Sequence, residues 1–420
     1  MKPRLSGLWK HPDFVRLWAG ETISIFGSLI GGLAMKFTAI IWLGAGAIEL
    51  ALLTACEVVP AFAVGLAAGV WVDRLPRRPL MIGADMGRAV ALASVPVAAV
   101  FDLLTIWQLA LVLLTTSALN VTFNVAYEAY LPSLIDRGDL VEGNSKMAAS
   151  ASVAEVGSFG MSGWLVQLLS GPGAVLVDAV SFLFSALFLV RISKTESQPA
   201  RAHRRRHVLR EAREGLGYVV DNPILRALAG VSALTFLAQG LISVSFLLYL
   251  SEELGFSPGV LGLIFGVGGL TSLGGAWLAA RPGLSGPVGR SLVAAAFFRA
   301  TGTLFMPLAS SVSAPGVALL VGNQLVTDPA WTFYEIHEVS LRQSVTGDAI
   351  RGRVAATVRV AGFGAVLLGT AAAAVIGELW GPRQALFTAV AVMYLAALLL
   401  AVSPVARLGS IPAADSGGAG

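Results

Sequence analysis

Apolar residues in this sequence are grouped in twelve long runs that short polar segments separate. The runs lie near residues 17–43, 47–71, 79–101, 106–134, 145–170, 173–192, 225–250, 258–280, 289–309, 315–341, 353–376 and 384–405. A helix of about 20 apolar residues crosses the roughly 30 Å hydrocarbon core of a bilayer. The pattern therefore predicts an all-α membrane protein with twelve transmembrane helices, which we number as spans 1–12.

Composition agrees with this prediction and excludes several other classes of protein. Of the 420 residues, 56% are hydrophobic and 13% are charged, whereas soluble domains carry roughly 25% charged residues. So little charge does not suit a water-facing surface, and we predict that the chain is not an enzyme. Its single cysteine excludes an intrachain disulfide, and its histidines lack metal-ligand companions. No cofactor and no metal site is therefore predicted.

Basic residues are distributed unequally between the predicted loops. If the N-terminus is cytoplasmic, 24 of the 29 Lys and Arg residues lie on the cytoplasmic side, four lie within the spans, and Arg383 alone falls in an outer loop. Cytoplasmic loops of membrane proteins carry such an excess. We therefore predict a multi-pass membrane protein with both termini in the cytoplasm.

The longest polar stretch, residues 193–222, divides the chain into two halves. It contains a basic cluster at Arg204–Arg206 and predicts an amphipathic helix on the inner membrane surface. Such a cluster is better explained by anionic lipid than by nucleic acid, so no nucleic-acid partner is predicted. The predicted domains are residues 1–192 and 223–408, joined by the linker 193–222 and followed by a disordered tail, 409–420.

The two halves resemble each other in sequence. Four short patterns recur in order at offsets close to half of the 420-residue chain. Two of them are the Arg-Ala pair at Arg88, which recurs at Arg299, and the Gly-Pro pair at Gly171, which recurs at Gly381. Repeated bundles that move around a central site are how many secondary carriers alternate access. The duplication therefore predicts two pseudo-symmetric six-helix bundles and a transport function.

A charged motif lies between spans 2 and 3. Its ten residues, GVWVDRLPRR, run from Gly69 to Arg78 and resemble the signature G-x-x-x-D-R-x-G-R-R of the major facilitator superfamily, with Pro76 at the usual glycine. The resemblance implies the major facilitator fold and a cytoplasmic gating motif. In that family the aspartate helps to hold the two halves together in the outward-open state, here against the start of span 11 near Arg353. The predicted motif residues are Gly69, Asp73, Arg74, Arg77 and Arg78.

Further segments of the first half, including FVRLWAGETIS and AYEAYLPSL, resemble the branch of macrolide efflux pumps and the enterobactin exporter. This resemblance implies proton-coupled export of small, largely apolar compounds that are drug-like or siderophore-like. It implies a monomer in the lipid bilayer whose partners are the substrate and protons. A facilitator or importer of a metabolite or lipid on the same fold stays open, as does a non-transporting scaffold or sensor.

Polar residues repeat at helical spacing on one face of spans 4, 7 and 10. The resemblance implies that these spans and span 1 line the central cavity. The predicted cavity residues are Lys36, Asn120, Asn124, Tyr127, Gln239, Asp328, Trp331 and Glu335. When the two halves are aligned by the repeat, Asn120 and Asn124 do not fall on the polar stripe of span 10. The alternative for one of the two stripes is therefore that its residues form interhelical hydrogen bonds and do not line the cavity.

Ionisable groups inside spans are costly and are functional candidates. We predict that Asp328 and Glu335 carry the coupled proton, because they lie on one face of span 10, and that Glu57 is the third candidate. The alternatives are that Asp328 caps a helix break and that Glu57 bonds a neighbouring helix. Asp85 and Arg88 lie one turn apart and predict a structural ion pair.

Overall fold

A computed structural model describes residues 7–72, 75–194, 208–281, 287–347 and 350–412 of the chain. The α-helices are α1 (Pro12–Phe37), α2 (Ala47–Val72), α3 (Arg77–Val100), α4 (Ile106–Leu134), α5 (Leu140–Val190), α6 (Val208–Asp221), α7 (Pro223–Leu248), α8 (Pro258–Ala279), α9 (Val288–Leu308), α10 (Ala314–Ser344), α11 (Arg351–Trp380) and α12 (Pro382–Val402). The π-helical turns Thr38–Trp42 and Tyr249–Glu253 extend α1 and α7.

Apolar runs in the sequence coincide with these helices. Predicted span 4 and α4 share the bounds 106 and 134, and α5 covers both span 5 and span 6. The backbone of Ser170 is non-helical, with φ of 67°, and divides α5 into two arms. Pro172 follows this break, and a proline inside a helix removes a backbone hydrogen bond.

Nine helical segments are long and apolar enough to cross a membrane, counted over the described residues alone. They lie in α1, α3, α4, the part of α5 from Gly160 to Val190, α7, α8, α9, α11 and α12. The prediction of an all-helical, multi-pass membrane protein is confirmed to this extent. The arrangement of twelve spans in two six-helix bundles stays a prediction.

Two helices begin with the same kind of cap at corresponding places in the two halves. The Nδ1 atom of His11 accepts a hydrogen bond of 3.1 Å from the backbone N–H of Phe14 at the start of α1. The Oδ1 atom of Asn222 accepts bonds of 2.9 and 3.1 Å from Ile224 and Leu225 at the start of α7. A proline follows each cap, where its missing N–H costs nothing.

The chain divides into two compact units, and each has its own core. Unit 1 comprises residues 1–45, 52–203 and 257–266, and within it α5 packs against α1 and α3. Its buried core includes Phe14, Leu17, Met81, Phe123 and Tyr130. Glycines bring α1 and α5 together, because a Cβ added at Gly27 or Gly31 would overlap the Ser181 or Asp178 side chain. Small residues permit such close crossings in membranes.

Unit 2 comprises residues 46–51, 204–256 and 267–420. Within it α7 packs against α11 and α12, and α9 packs against α10 and α12. Its buried core includes Leu228, Leu292, Phe333, Leu341 and Leu400.

The linker between the halves contains the helix α6, which packs on α11. Nη1 of Arg353 lies 2.6 Å from Oε2 of Glu214. At Gly215, an added Cβ would crowd the Arg353 carbonyl group. Leu216 and Val220 are exposed on α6. The linker helix is therefore fixed to unit 2 by one ion pair and by close backbone packing.

Candidate functional site

Four ionisable side chains from three helices meet inside unit 1. Glu21 lies on α1, Asp85 and Arg88 lie on α3, and Asp178 lies on the second arm of α5. Arg88 interacts electrostatically with all three acids. We call these four residues the Arg88 cluster. The side chains of Asp85 and Arg88 are 0% and 5% exposed, and Asp178 is equally buried.

Two hydrogen-bond acceptors and two aromatic rings contact the guanidinium group of Arg88, whose Nε atom is buried without a hydrogen-bond partner in the described chain. Its Nη2 atom pairs with Oδ1 of Asp85, one turn earlier on α3. Its Nη1 atom donates a 3.0 Å hydrogen bond to Oδ1 of Asn120 on α4. The guanidinium carbon lies 4.5 Å from the ring centre of Phe123 and 4.0 Å from that of Phe182. Two aromatic faces thus add cation–π attraction to the ion pair.

The other two acids of the cluster have different surroundings. The Ser28 hydroxyl donates a hydrogen bond of 3.4 Å to Oδ1 of Asp178. The Ser181 hydroxyl donates at 2.8 Å to the backbone oxygen of Asp178 and lies 3.4 Å from the same Oδ1. Oε2 of Glu21 is buried and has no hydrogen-bond partner in the described part of the chain. Tyr127, one of the predicted cavity residues, interacts electrostatically with Glu21. Glu21 is therefore the least satisfied acid of the group.

Two of the four residues of this cluster are predicted from the sequence. The spacing of Asp85 and Arg88 predicts their ion pair, and the structure places them in contact. Glu21 and Asp178 are absent from the predicted site residues. The signal for both was available, since each is a lone acid in an apolar run, and such acids face the interior of a bundle.

Unit 2 holds a second charged group around Arg299 on α9. Its guanidinium carbon lies 3.8 Å from the ring centre of Trp331 on α10. Asp328 and Glu335 interact with it electrostatically. We call these four residues the Arg299 cluster. Three of the predicted cavity residues, Asp328, Trp331 and Glu335, therefore lie around one arginine. Asp328 is half-buried, whereas Glu335 is exposed.

Two polar residues of α10, Gln324 and Asp328, face the part of α8 that belongs to unit 2. A Cβ added at Gly268 of α8 would overlap the carboxyl group of Asp328 and the amide of Gln324. The Thr271 hydroxyl of α8 donates a 3.0 Å hydrogen bond to the backbone oxygen of Gln324. These contacts support the alternative that part of a polar stripe joins helices.

Of the remaining predicted residues, Asn120 is hydrogen-bonded to the Arg88 cluster. Lys36 is half-buried, while the side chains of Asn124, Gln239 and Glu57 are exposed. Asn120, which contacts Arg88 through its amide oxygen, is exposed as well.

The gating motif is described in part. Asp73 and Arg74 lie outside the described residues, and Gly69 belongs to α2. Nη1 of Arg77 donates a 3.1 Å hydrogen bond to the Ala129 carbonyl of α4.

Arg78 of the motif closes the end of α5. Its Nε atom donates to the Leu189 carbonyl at 2.9 Å, and its Nη2 atom donates to the Val190 carbonyl at 2.6 Å. The last carbonyls of a helix have no partner within the helix. Arg78 therefore ties α3 to the end of α5 inside unit 1.

We expect Arg78→Gln to lower the free energy of unfolding by about 1–2 kcal/mol, because two charge-assisted hydrogen bonds are lost. Thermal unfolding of the protein in detergent measures the effect. Arg191→Gln is the matched control, since Arg191 is exposed at the same end of α5. An equal effect of both substitutions would assign the loss to charge alone and contradict the role of the hydrogen bonds.

No group of three or more His, Cys, Asp or Glu residues suited to a metal ion occurs in the part of the chain that the structure describes.

A groove of about 670 Å³ lies along α11 and α12 in unit 2. Its lining residues are Ile376, Trp380, Gln384, Phe387, Thr388 and Ala391. None of them is a predicted cavity residue.

Comparisons with known proteins identify a family and a fold. The family model described as Major Facilitator Superfamily matches residues 17–334. The chain is 22% identical over 265 residues to the uncharacterized MFS-type transporter YvqJ of Bacillus subtilis, covering 61% of each chain. It is 26% identical over 228 residues to macrolide efflux protein A of Streptococcus pyogenes, covering 54% of this chain and 55% of that protein. These matches span less than two thirds of either relative.

One similar solved structure is that of a bacterial homologue of the iron transporter ferroportin in an inward-facing state. The TM-score is 0.72 at 18% identity, and the match covers 94% of this chain and 98% of that one. At this identity the similarity concerns the fold.

Proposed function

The chain belongs to the Major Facilitator Superfamily, and on that premise we propose that it is a secondary active transporter that exports small, largely apolar compounds in exchange for protons. The proposal includes twelve spans in two six-helix bundles, cytoplasmic termini and a monomer in the bacterial inner membrane. Transport itself, rather than enzymatic activity, follows from the family and from the transporters that the chain resembles.

The similarity to a macrolide efflux protein supports both the proposed direction of transport, which is export, and the proposed class of substrate. That protein's name refers to the efflux of macrolides. We therefore propose drug-like or siderophore-like substrates.

Proton coupling is supported by the ionisable groups inside the helices. Buried acids and bases within membrane spans mark ion and proton pathways in many carriers. In unit 2 we propose Asp328 and Glu335 as proton carriers, since both interact with Arg299. Glu57 is the third candidate, and its side chain is exposed.

The test is flux in proteoliposomes with radiolabelled erythromycin as the probe. We expect uphill erythromycin movement that requires a proton gradient and stops when a protonophore is added. Erythromycin movement that does not depend on the proton gradient would favour a facilitator, and no movement of erythromycin or of ethidium would contradict export of apolar compounds.

Asp328→Asn and Glu335→Gln should lose proton-driven flux and keep gradient-free counterflow. Full proton-driven flux in both variants would contradict the assignment of these two acids as proton carriers.

The gating motif supplies a further expected result. Asp73→Asn should lower erythromycin flux, because it removes the charge that we propose holds the two halves in the outward-open state. Its thermal unfolding midpoint in detergent should match that of the unsubstituted protein. Asp102→Asn is the matched control, since Asp102 is exposed beyond the end of α3. Normal flux in the Asp73 variant would reduce the motif to a signal for membrane topology.

A further inference from the structure

We propose that the Arg88 cluster in unit 1 is a proton-binding site, in which Glu21 is the carboxyl group that takes up and releases the proton. This inference rests on the proposed function for its link to transport. Binding of the proton is separate from transport and has its own measurement.

The charge balance of the cluster is the first argument. With every group ionised, three carboxylates surround one guanidinium group, and the cluster carries a net negative charge inside the helices. Uncompensated charge in apolar surroundings is costly, so such groups pair or become neutral. A proton added to one carboxylate lowers the net negative charge of the cluster. The cluster therefore favours binding of a proton.

Differences between the three acids point to Glu21 as the acceptor. Asp85 is paired with Arg88, and Oδ1 of Asp178 accepts a hydrogen bond from the Ser28 hydroxyl. Oδ2 of Asp85 lacks a hydrogen bond of normal geometry, although the Ser185 side chain interacts with that carboxyl group. Oε2 of Glu21 is buried without any hydrogen-bond partner in the described chain. Glu21 therefore has the least compensation of the three acids.

Arg88 is positioned to respond to the charge of Glu21. The charged and titratable groups facing Glu21 are Asp85 and Arg88 on α3 and Tyr127 on α4. Asp178 on α5 reaches Glu21 through Arg88, with which both acids interact. When Glu21 is ionised, it attracts the guanidinium group electrostatically. When Glu21 is protonated, that attraction is lost and the pair of Arg88 with Asp85 remains.

The α1–α5 crossing gives that change a structural consequence. Asp178 packs directly on the backbone of Gly31 in α1, and Ser181 packs on Gly27. Glu21 lies on the same helix as these glycines. The α1–α5 crossing is tightly packed, so the Asp178 and Ser181 side chains cannot move without moving the helices. We therefore expect a change of charge in the cluster to change the packing of α1 on α5.

The duplicated half serves as an internal comparison. At the offsets of the repeat, Arg88 corresponds to Arg299, which is retained. Glu21, Asp85 and Asp178 correspond to Val231, Ala296 and Thr388, none of which is ionisable. Unit 2 carries its acids on α10 instead, where Asp328 is half-buried, Glu335 is exposed and the buried Glu338 lies 3.7 Å from Arg342. Two fully buried carboxyl groups beside the repeated arginine are thus a property of unit 1.

Infrared difference spectroscopy of the purified full chain in detergent tests this proposal without any substrate. Transfer from mildly alkaline to mildly acid buffer should produce a carbonyl band of a protonated carboxylic acid that exchanges slowly in heavy water. We expect Glu21→Gln to lose most of this band, and Asp178→Asn to shift it. Asp102→Asn, an exposed acid beyond the end of the same helix as Asp85, should keep the wild-type band. Thermal unfolding checks that each variant is folded.

Several outcomes would overturn the proposal. An unchanged band in a folded Glu21→Gln variant would place the proton on another group and contradict the proposal. A band that sodium chloride abolishes at constant pH would indicate a sodium site. If Glu21→Gln does not fold, the Asp178→Asn spectrum decides the question. In proteoliposomes that transport erythromycin, Glu21→Gln should lose proton-driven flux and keep counterflow. Absence of flux in the unsubstituted protein would count against the proposed function, while the infrared band would still decide the proton site.

Discussion

Arg88→Gln is expected to lower the free energy of unfolding by about 3–5 kcal/mol, because removing one partner of a buried ion pair leaves a charge without compensation. The side chain of Asp85 is 0% exposed, so water cannot replace the guanidinium group. The substitution also removes the cation from between Phe123 and Phe182. Chemical unfolding in detergent, followed by tryptophan fluorescence, measures the loss.

Two variants make this expectation specific. Arg299→Gln should cost less, about 1–2 kcal/mol, because its closest described contact is the Trp331 ring and one of its acids is exposed. The double variant Asp85→Asn with Arg88→Gln should recover part of the stability, since the orphaned carboxylate is gone. Equal losses at Arg88 and Arg299, or no recovery in the double variant, would show that the pair with Asp85 is not the source.

The second large effect is expected at the crossing of α7 and α11 in unit 2. A Cβ added at Gly369 would overlap the backbone oxygen of Leu237, and one added at Gly240 would overlap that of Val366. Backbone atoms cannot turn aside as a side chain does, so the helices must separate. Gly369→Ala should therefore cost about 1–3 kcal/mol, as overpacking of a tight interior does.

Gly364→Ala on the same helix is the matched control. Among the described residues, no atom outside the neighbouring backbone of α11 lies within 4 Å of a Cβ added at Gly364. Alanine is favoured over glycine in a helix by about 1 kcal/mol, so this variant should be neutral or slightly stabilised. Thermal unfolding in detergent compares the two variants. A loss of stability at both positions would attribute the effect to α11 itself and contradict the contact with α7.

The sequence alone determined where the helices lie and which contacts form within one helix. The apolar runs predict α4 to the residue, because the length of a membrane helix depends on local composition and on bilayer thickness. The pairing of Asp85 with Arg88 was predictable for a similar reason. Residues three apart on a helix lie on the same face whatever surrounds them. The motif between spans 2 and 3 was enough to indicate the family.

Contacts between helices distant in the sequence were decided only by the tertiary structure. Glu21 and Asp178 lie in different apolar runs, and no spacing in the sequence indicates that both approach Arg88. Likewise, Arg78 was predicted as part of a gate, and the structure shows it bound to the end of α5. The physical reason is that lipid is as apolar as the helix surfaces. Hydrophobicity therefore places a helix in the membrane but does not fix its rotation, which close packing and interhelical hydrogen bonds set.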